Sequence, residues 1–258
     1  MFFDLHTRIS GYNQDDIDKA VWGRKKIVTF DEWDRGGMSC DDWPHPLTNQ
    51  QAEVFLHINL GQVDSVHFCR KMDKTKQSPP NIFPYEKCIM NDFPLTTPDE
   101  LFSRPYDFCW IGNESPQRKN IVNGLLNAGF NGYVHWTNEK GKIPHNEWLD
   151  LHRQAKFFLE SDGGGFCSER PMQLLTIAPM LRQKNNMLRI NDWEDVTECV
   201  DISENVSHDD EEMIKYFLKN KGSLYSTYIQ GAEKLRTYYT EEYRANYILS
   251  VLKQEGII

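Results

Sequence analysis

The run FFLESDGGGFCSERPMQLL, residues 157–175, constrains the fold of this chain more than any other. An apolar strand leads into three consecutive glycines, and helical spacing resumes directly after them. Gly163, Gly164 and Gly165 permit a tight turn and leave no side chain between the backbone and a ligand. Ser168 stands where a helix N-cap belongs, with Glu169 in the first turn and Arg170 beside it. N–H groups at a helix start, a hydroxyl and a guanidinium together make a seat for a phosphate or diphosphate. The segment reads either as a nucleotide or nucleotide-sugar site or as an ordinary strand-to-helix connection of an α/β domain. On these residues alone the two readings weigh about equally.

The surroundings extend the alternation. In the second half, strands are expected at 106–111, 132–136, 156–160, 179–182 and 198–202. Helices are expected at 118–128, closed by Gly129, at 145–155 and at 169–177. From His208 the chain reads as helical, with breaks at Gly222 and near Thr240. In the first half, residues 25–30 (KKIVTF) form a β-branched strand, 49–60 has helical spacing, and 65–69 and 86–90 are short strand candidates. Residues 74–84 read as a proline-bearing loop and 93–105 as a linker. Strands and helices alternating at this spacing imply parallel sheets covered by helices. The fold class is therefore α/β: two Rossmann-like lobes, residues 1–104 and 105–258, the second ending in a helical tail. Ligands in such lobes sit at the carboxyl ends of the strands, where the glycine loop falls.

Composition narrows the function classes. The 258 residues hold 38 acidic and 29 basic side chains, a net charge of −9. That balance disfavours bulk binding to a nucleic-acid backbone, though not a local basic groove. No run of about 18 apolar residues exists, so no membrane span is expected, and the start MFFDLHTRIS lacks the pattern of a secretory signal. The 6 cysteines form no CxxC pair, which favours buried reduced thiols in a cytoplasmic protein over disulfides or zinc. No DxD setting for a metal is convincing: Asp15-Asp16 and Asp41-Asp42 are dipeptides, and Asp209-Asp210 opens a helix, where acids suit the dipole.

The order of motifs in the second half resembles the nucleotide-sugar-binding lobe of GT-B-type glycosyltransferases, in particular exostosin-like and related single-chain transferases. The residues that carry it are YDFCWIGNESPQR, with Gly112 before Arg118, then Lys156-Phe157, the glycine loop, and Ser168 and Arg170 at the next helix start. The resemblance covers roughly residues 105–255. It implies transfer of a sugar from a nucleotide-diphosphate sugar to a hydroxyl acceptor, on a glycan, without a metal or other cofactor. Gln173 stands where the family often has a glutamate for the donor ribose; an amide still bonds a hydroxyl. Glu160 and Glu169 lie one residue further apart than the paired glutamates of retaining members.

That chemistry needs the leaving diphosphate neutralised, the acceptor deprotonated if the reaction inverts, and the sugar held in register. Arg118, Arg170 and the N–H groups around Ser168 are candidates for the first task; the alternatives are a solvated Arg118 and an Arg170 paired with Glu160 or Glu169. Asp162, the three glycines and Gln173 are candidates for holding the donor. Asp34, then Asp31, at the carboxyl end of the first strand, are the candidate bases, with His45 behind them. Trp136 and Trp193 could stack on a base or sugar, although core packing is the commoner fate. Rival readings are a nucleotide- or glycan-binding module without catalysis, an NAD(P)-dependent oxidoreductase, and a transferase acting on a DNA base. For the oxidoreductase, the loop resembles GxGxxG but falls deep in the second half, and the next strand ends in Arg182-Gln183-Lys184 with no acid.

Overall fold

The computed structural model describes residues 2–4, 26–30, 64–69, 82–84, 88–89, 91–161, 170–184 and 193–258, the first four of these as backbone. Among the described residues, two parallel sheets organise the chain. The first contains β1 (Phe2–Asp4), β2 (Lys26–Phe30), β3 (Asp64–Cys69) and β4 (Ile82–Pro84) in that spatial order. Val28 pairs with Phe2 on one side and Val66 on the other, so the KKIVTF run is an interior strand. β4 falls inside the stretch read as a proline-bearing loop, and no strand forms at Cys88-Ile89, where one was expected. The helix expected at 49–60 lies outside the described residues.

The second sheet contains β5 (Tyr106–Gly112), β6 (Gly132–Trp136), β7 (Ala155–Glu160), β8 (Met180–Gln183) and β9 (Val200–Ile202), all parallel, in the order β6-β5-β7-β8-β9. Its central strands are continuous apolar runs because helices cover both faces. Phe108 and Trp110 point to one face, against Ile121, Val122 and Leu125. Cys109 and Ile111 point to the other, against Trp148 and Leu151. The thiols of Cys88, Cys109 and Cys199 are unbridged, and burial pushes that of Cys109 up to about 12, so it is no nucleophile.

The covering helices start at sequence-encoded caps. In α1 (Pro98–Ser103), Thr97 and Glu100 form a reciprocal capping box with Pro98 at the first turn. The linker expected at 93–105 therefore contains a helix. The residues before it are also tied to the second half: Ile89 N–H bonds Tyr239 O, Asn91 N–H bonds Met172 O, and Thr96 N–H bonds the Tyr228 hydroxyl. In α2 (Pro116–Asn127), the Ser115 hydroxyl accepts from Arg118 N–H, and Gly129 takes φ +88° past the helix end, a conformation that suits glycine. Next come the short α3 (Thr137–Lys140), α4 (His145–His152) and α5 (Arg170–Leu174).

The tail is three helices: α6 (His208–Lys219), α7 (Lys221–Tyr238) and α8 (Glu241–Gln254). The first break falls at Asn220, not at Gly222, because the Asn220 amide caps α7 through Ser223 N–H. The acids at the start of α6 do more than suit its dipole. Asp210 accepts from the main chain of Ser207 and Ser203 in a second capping box, and these bonds hold its carboxyl below the usual range against the opposing effect of burial.

Candidate functional site

The order β6-β5-β7 places a topological switch point between β5 and β7. One connection from β5 leads outward to β6, the next returns past it to β7. At such a point the loops leave the sheet in opposite directions and a crevice opens at the carboxyl ends. The loop after β5 carries Gly112 to Ser115. The loop after β7 begins with Ser161, whose hydroxyl donates to Gln183 Oε1 at 2.7 Å and ties the ends of β7 and β8 together.

Arg170 closes this switch point. It is the first residue of α5, and its Nη1 donates to Leu159 O at 2.8 Å while Nη2 donates to Ile111 O at 3.1 Å. One side chain thus bridges the last turns of β7 and β5. Its guanidinium lies 4.1 Å from the centre of the fully buried Trp110 ring. The guanidinium of Arg118, in the first turn of α2, lies 5.3 Å from the centre of the same ring and bonds Asn113 O at 3.1 Å. Each such contact is worth roughly 0.5–2 kcal/mol. Burial holds the Arg170 guanidinium below its ordinary range, with Glu160 opposing and Arg118 reinforcing the shift. Arginine remains a cation at neutral pH all the same.

Gly112 makes the approach possible. A Cβ there would sit 3.1 Å from Arg170 Nη2 and 3.1 Å from Trp110 Cζ2, tighter than ordinary contact. The loop is held from the β6 side as well. Thr137 Oγ1 donates to Asn113 Oδ1 at 2.6 Å, Glu114 N–H bonds Asn138 Oδ1, and Lys119 pairs with Glu114. The N-terminus of α2 points into this edge with its dipole positive. The carboxyl end of β5 and β7 therefore gathers two guanidiniums and a helix start in one place, an arrangement suited to an anionic, multiply charged group.

The structure brings Arg118 and Arg170 onto one ring and leaves Gln173 half-buried on α5, its main-chain carbonyl accepting from Asn91. Asp31, Asp34, His45, Asp162, Gly163, Gly164, Gly165, Ser168 and Glu169 lie outside the described residues. Lys156 sits at the far end of β7 and bonds Asp107 at 2.9 Å, so it belongs to the opposite edge. Trp193 is buried and stacks on Tyr239 at 5.0 Å, whereas Trp136 is half-buried beside Trp110 at 6.0 Å. Arg182, which ends the strand where a dinucleotide site would place an acid, forms a buried two-pronged pair with its cross-strand neighbour Asp201 at 2.6 and 2.8 Å. Sequence reasoning passed over Trp110. Its signal was present in YDFCWIG, an aromatic two residues before the loop glycine, but a tryptophan in a buried strand reads as core.

No family model and no curated protein matches the sequence. Solved structures do match. A sucrose-phosphate synthase from Thermosynechococcus elongatus is 10% identical, with a TM-score of 0.54 over 93% of this chain and 76% of that one. An alpha-glucosyltransferase, solved with UDP and a 13-mer DNA containing an HMU base, is also 10% identical, with a TM-score of 0.56 over 95% of this chain and 78% of that one. The chain has a glycosyltransferase fold of the GT-B kind. Among the described residues no helix is long and apolar enough to cross a membrane.

Proposed function

We propose that this chain is a metal-independent glycosyltransferase that moves a sugar from a nucleotide-diphosphate sugar to a hydroxyl acceptor on a glycan, in the cytoplasm. The observation that carries the reading is the pair Arg118 and Arg170 on Trp110, set beside the α2 N-terminus at the switch point of a glycosyltransferase fold. The acceptor oxygen attacks the anomeric carbon, the bond to the diphosphate oxygen breaks, and negative charge grows on the leaving group. The Arg118 guanidinium and the positive end of the α2 dipole meet that charge, and Arg170 holds the strand ends that position them. Gln173 bonds a ribose hydroxyl. Asp162, Gly163, Gly164, Gly165, Ser168 and Glu169 shape the loop around the donor, and Asp34 or Asp31 takes the acceptor proton if the reaction inverts. Kinship to the exostosin-like transferases is part of this proposal.

A second acceptor class has support in one likeness, the alpha-glucosyltransferase seen with DNA. A nucleic-acid base is therefore the alternative acceptor, and the net charge of −9 weighs against it. The test is release of nucleoside diphosphate from UDP-, GDP- and ADP-sugars, with and without oligosaccharide or hydroxymethylated DNA. Turnover with oligosaccharide supports the proposal, and turnover with DNA alone moves the acceptor to nucleic acid. Nucleotide binding without turnover under any condition favours a binding module. Binding of NADP with none of the nucleotide sugars favours an oxidoreductase.

A further inference from the structure

At the amino edge of the second sheet, away from the switch point, a cleft of about 510 Å³ opens between α6, α7 and the loop before β9. Among the described residues its lining contains no charged side chain, although 26% of the chain is charged. Thr197, Ser223, Ser226 and Gln230 supply hydroxyl and amide groups around it. The Gln230 amide donates to Ser226 Oγ at 3.0 Å, so these groups are already oriented. At the start of α7, Asn220 Oδ1 accepts from Ser223 N–H.

Two apolar groups sit at the rim. Tyr216 is 54% exposed, yet its ring is fixed: its hydroxyl bonds Ser223 Oγ at 3.1 Å, Asn220 Nδ2 donates to it at 3.1 Å, and Phe217 lies edge-on at 5.5 Å. Val196 is 51% exposed and takes φ +56°, an outlying conformation for a β-branched residue. It is held there by Asp195 Oδ1, which accepts from Val196 N–H, and by the Thr227 hydroxyl, which donates to Val196 O at 2.8 Å. Backbone strain of this kind persists only where the surroundings over-determine it.

An exposed, immobilised aromatic face surrounded by uncharged hydroxyl and amide groups matches one ligand chemistry. The C–H face of a pyranose packs on an aromatic ring, and its hydroxyls exchange bonds with neutral donors and acceptors. We propose that this cleft is a binding site for a neutral oligosaccharide chain, separate from the carboxyl edge of the sheet. The site stands without the transferase reading, because binding needs no donor and no catalysis.

The experiment is calorimetric titration of the intact protein with maltohexaose, cellohexaose and chitohexaose, alongside a sulfated hexasaccharide. At least one neutral chain binds, and the sulfated chain binds more weakly. Tyr216→Ala weakens the neutral chain about tenfold, the scale of one lost ring contact, while Tyr216→Phe keeps most of the affinity. Both variants are at an exposed position, and their melting temperatures check that they fold. The proposal is overturned if none of the neutral hexasaccharides binds, if the sulfated chain binds as well as they do, or if Tyr216→Ala binds as the parent does.

Discussion

Two arginines hold opposite ends of β7 by the same means and do different work. Arg104, at the amino edge, donates to Ala155 O, Ile177 O and the Thr96 hydroxyl. It is 8% exposed, and burial holds its guanidinium down at about 10. Arg170, at the carboxyl edge, likewise bridges main-chain carbonyls, but a second guanidinium, a helix start and a loop glycine surround it. At the amino edge a buried cation is spent stitching segments together. At the carboxyl edge, cations accumulate where the topology opens a crevice. Position relative to the switch point, more than residue type, separates the brace from the proposed site.

The largest expected effect sharpens that contrast. Arg104→Ala removes three hydrogen bonds, to Ala155 O, Ile177 O and the Thr96 hydroxyl, and costs about 3 kcal/mol of folding stability, measured by denaturant unfolding, with no loss of nucleotide affinity. Arg170→Ala lowers kcat/KM by on the order of a hundredfold, because the strand ends that position the site are released. Equal effects of the two substitutions on both readouts would erase the distinction.

A smaller effect comes from His152, the last residue of α4. Its Nδ1 faces Trp148 O, its buried Nε2 has no hydrogen-bond partner among the described residues, and burial lowers its pKa from 6.5 to about 3. Between those values the unfolded chain holds a proton that the folded chain does not. Stability therefore falls as the pH drops, by about 1.4 kcal/mol per pH unit at the steepest. His152→Gln removes this component, which shows as a shallower loss of melting temperature between pH 6 and pH 4. The smallest change is Gly112→Ala, where one methyl group presses Arg170 and Trp110 apart. It costs about 1 kcal/mol and lowers turnover severalfold, by melting temperature and initial rates.

The sequence-readable parts of the fold are those governed by burial on both sides. Tyr106–Gly112 and Ala155–Glu160 stand out as apolar runs between turn residues because a central parallel strand is apolar almost throughout. Ile82–Pro84 was hidden by its brevity and its terminal proline, both of which look like loop. α1 was missed although Thr97, Pro98 and Glu100 spell a capping box; the surrounding Pro and Thr content outweighed it. In the candidate site, Arg118 and Arg170 were legible as cations at helix starts. That they share the Trp110 ring was not, since it depends on how β5 and β7 pair across residues far apart in sequence.

The most direct test of the central claim is calorimetric binding of UDP and GDP to the parent protein, to Arg118→Ala and to Arg104→Ala. The account predicts that one nucleoside diphosphate binds, that Arg118→Ala weakens it about tenfold, and that Arg104→Ala leaves the affinity unchanged. No binding of either nucleotide, or equal losses in the two variants, would contradict a diphosphate seat at the β5–β7 switch point.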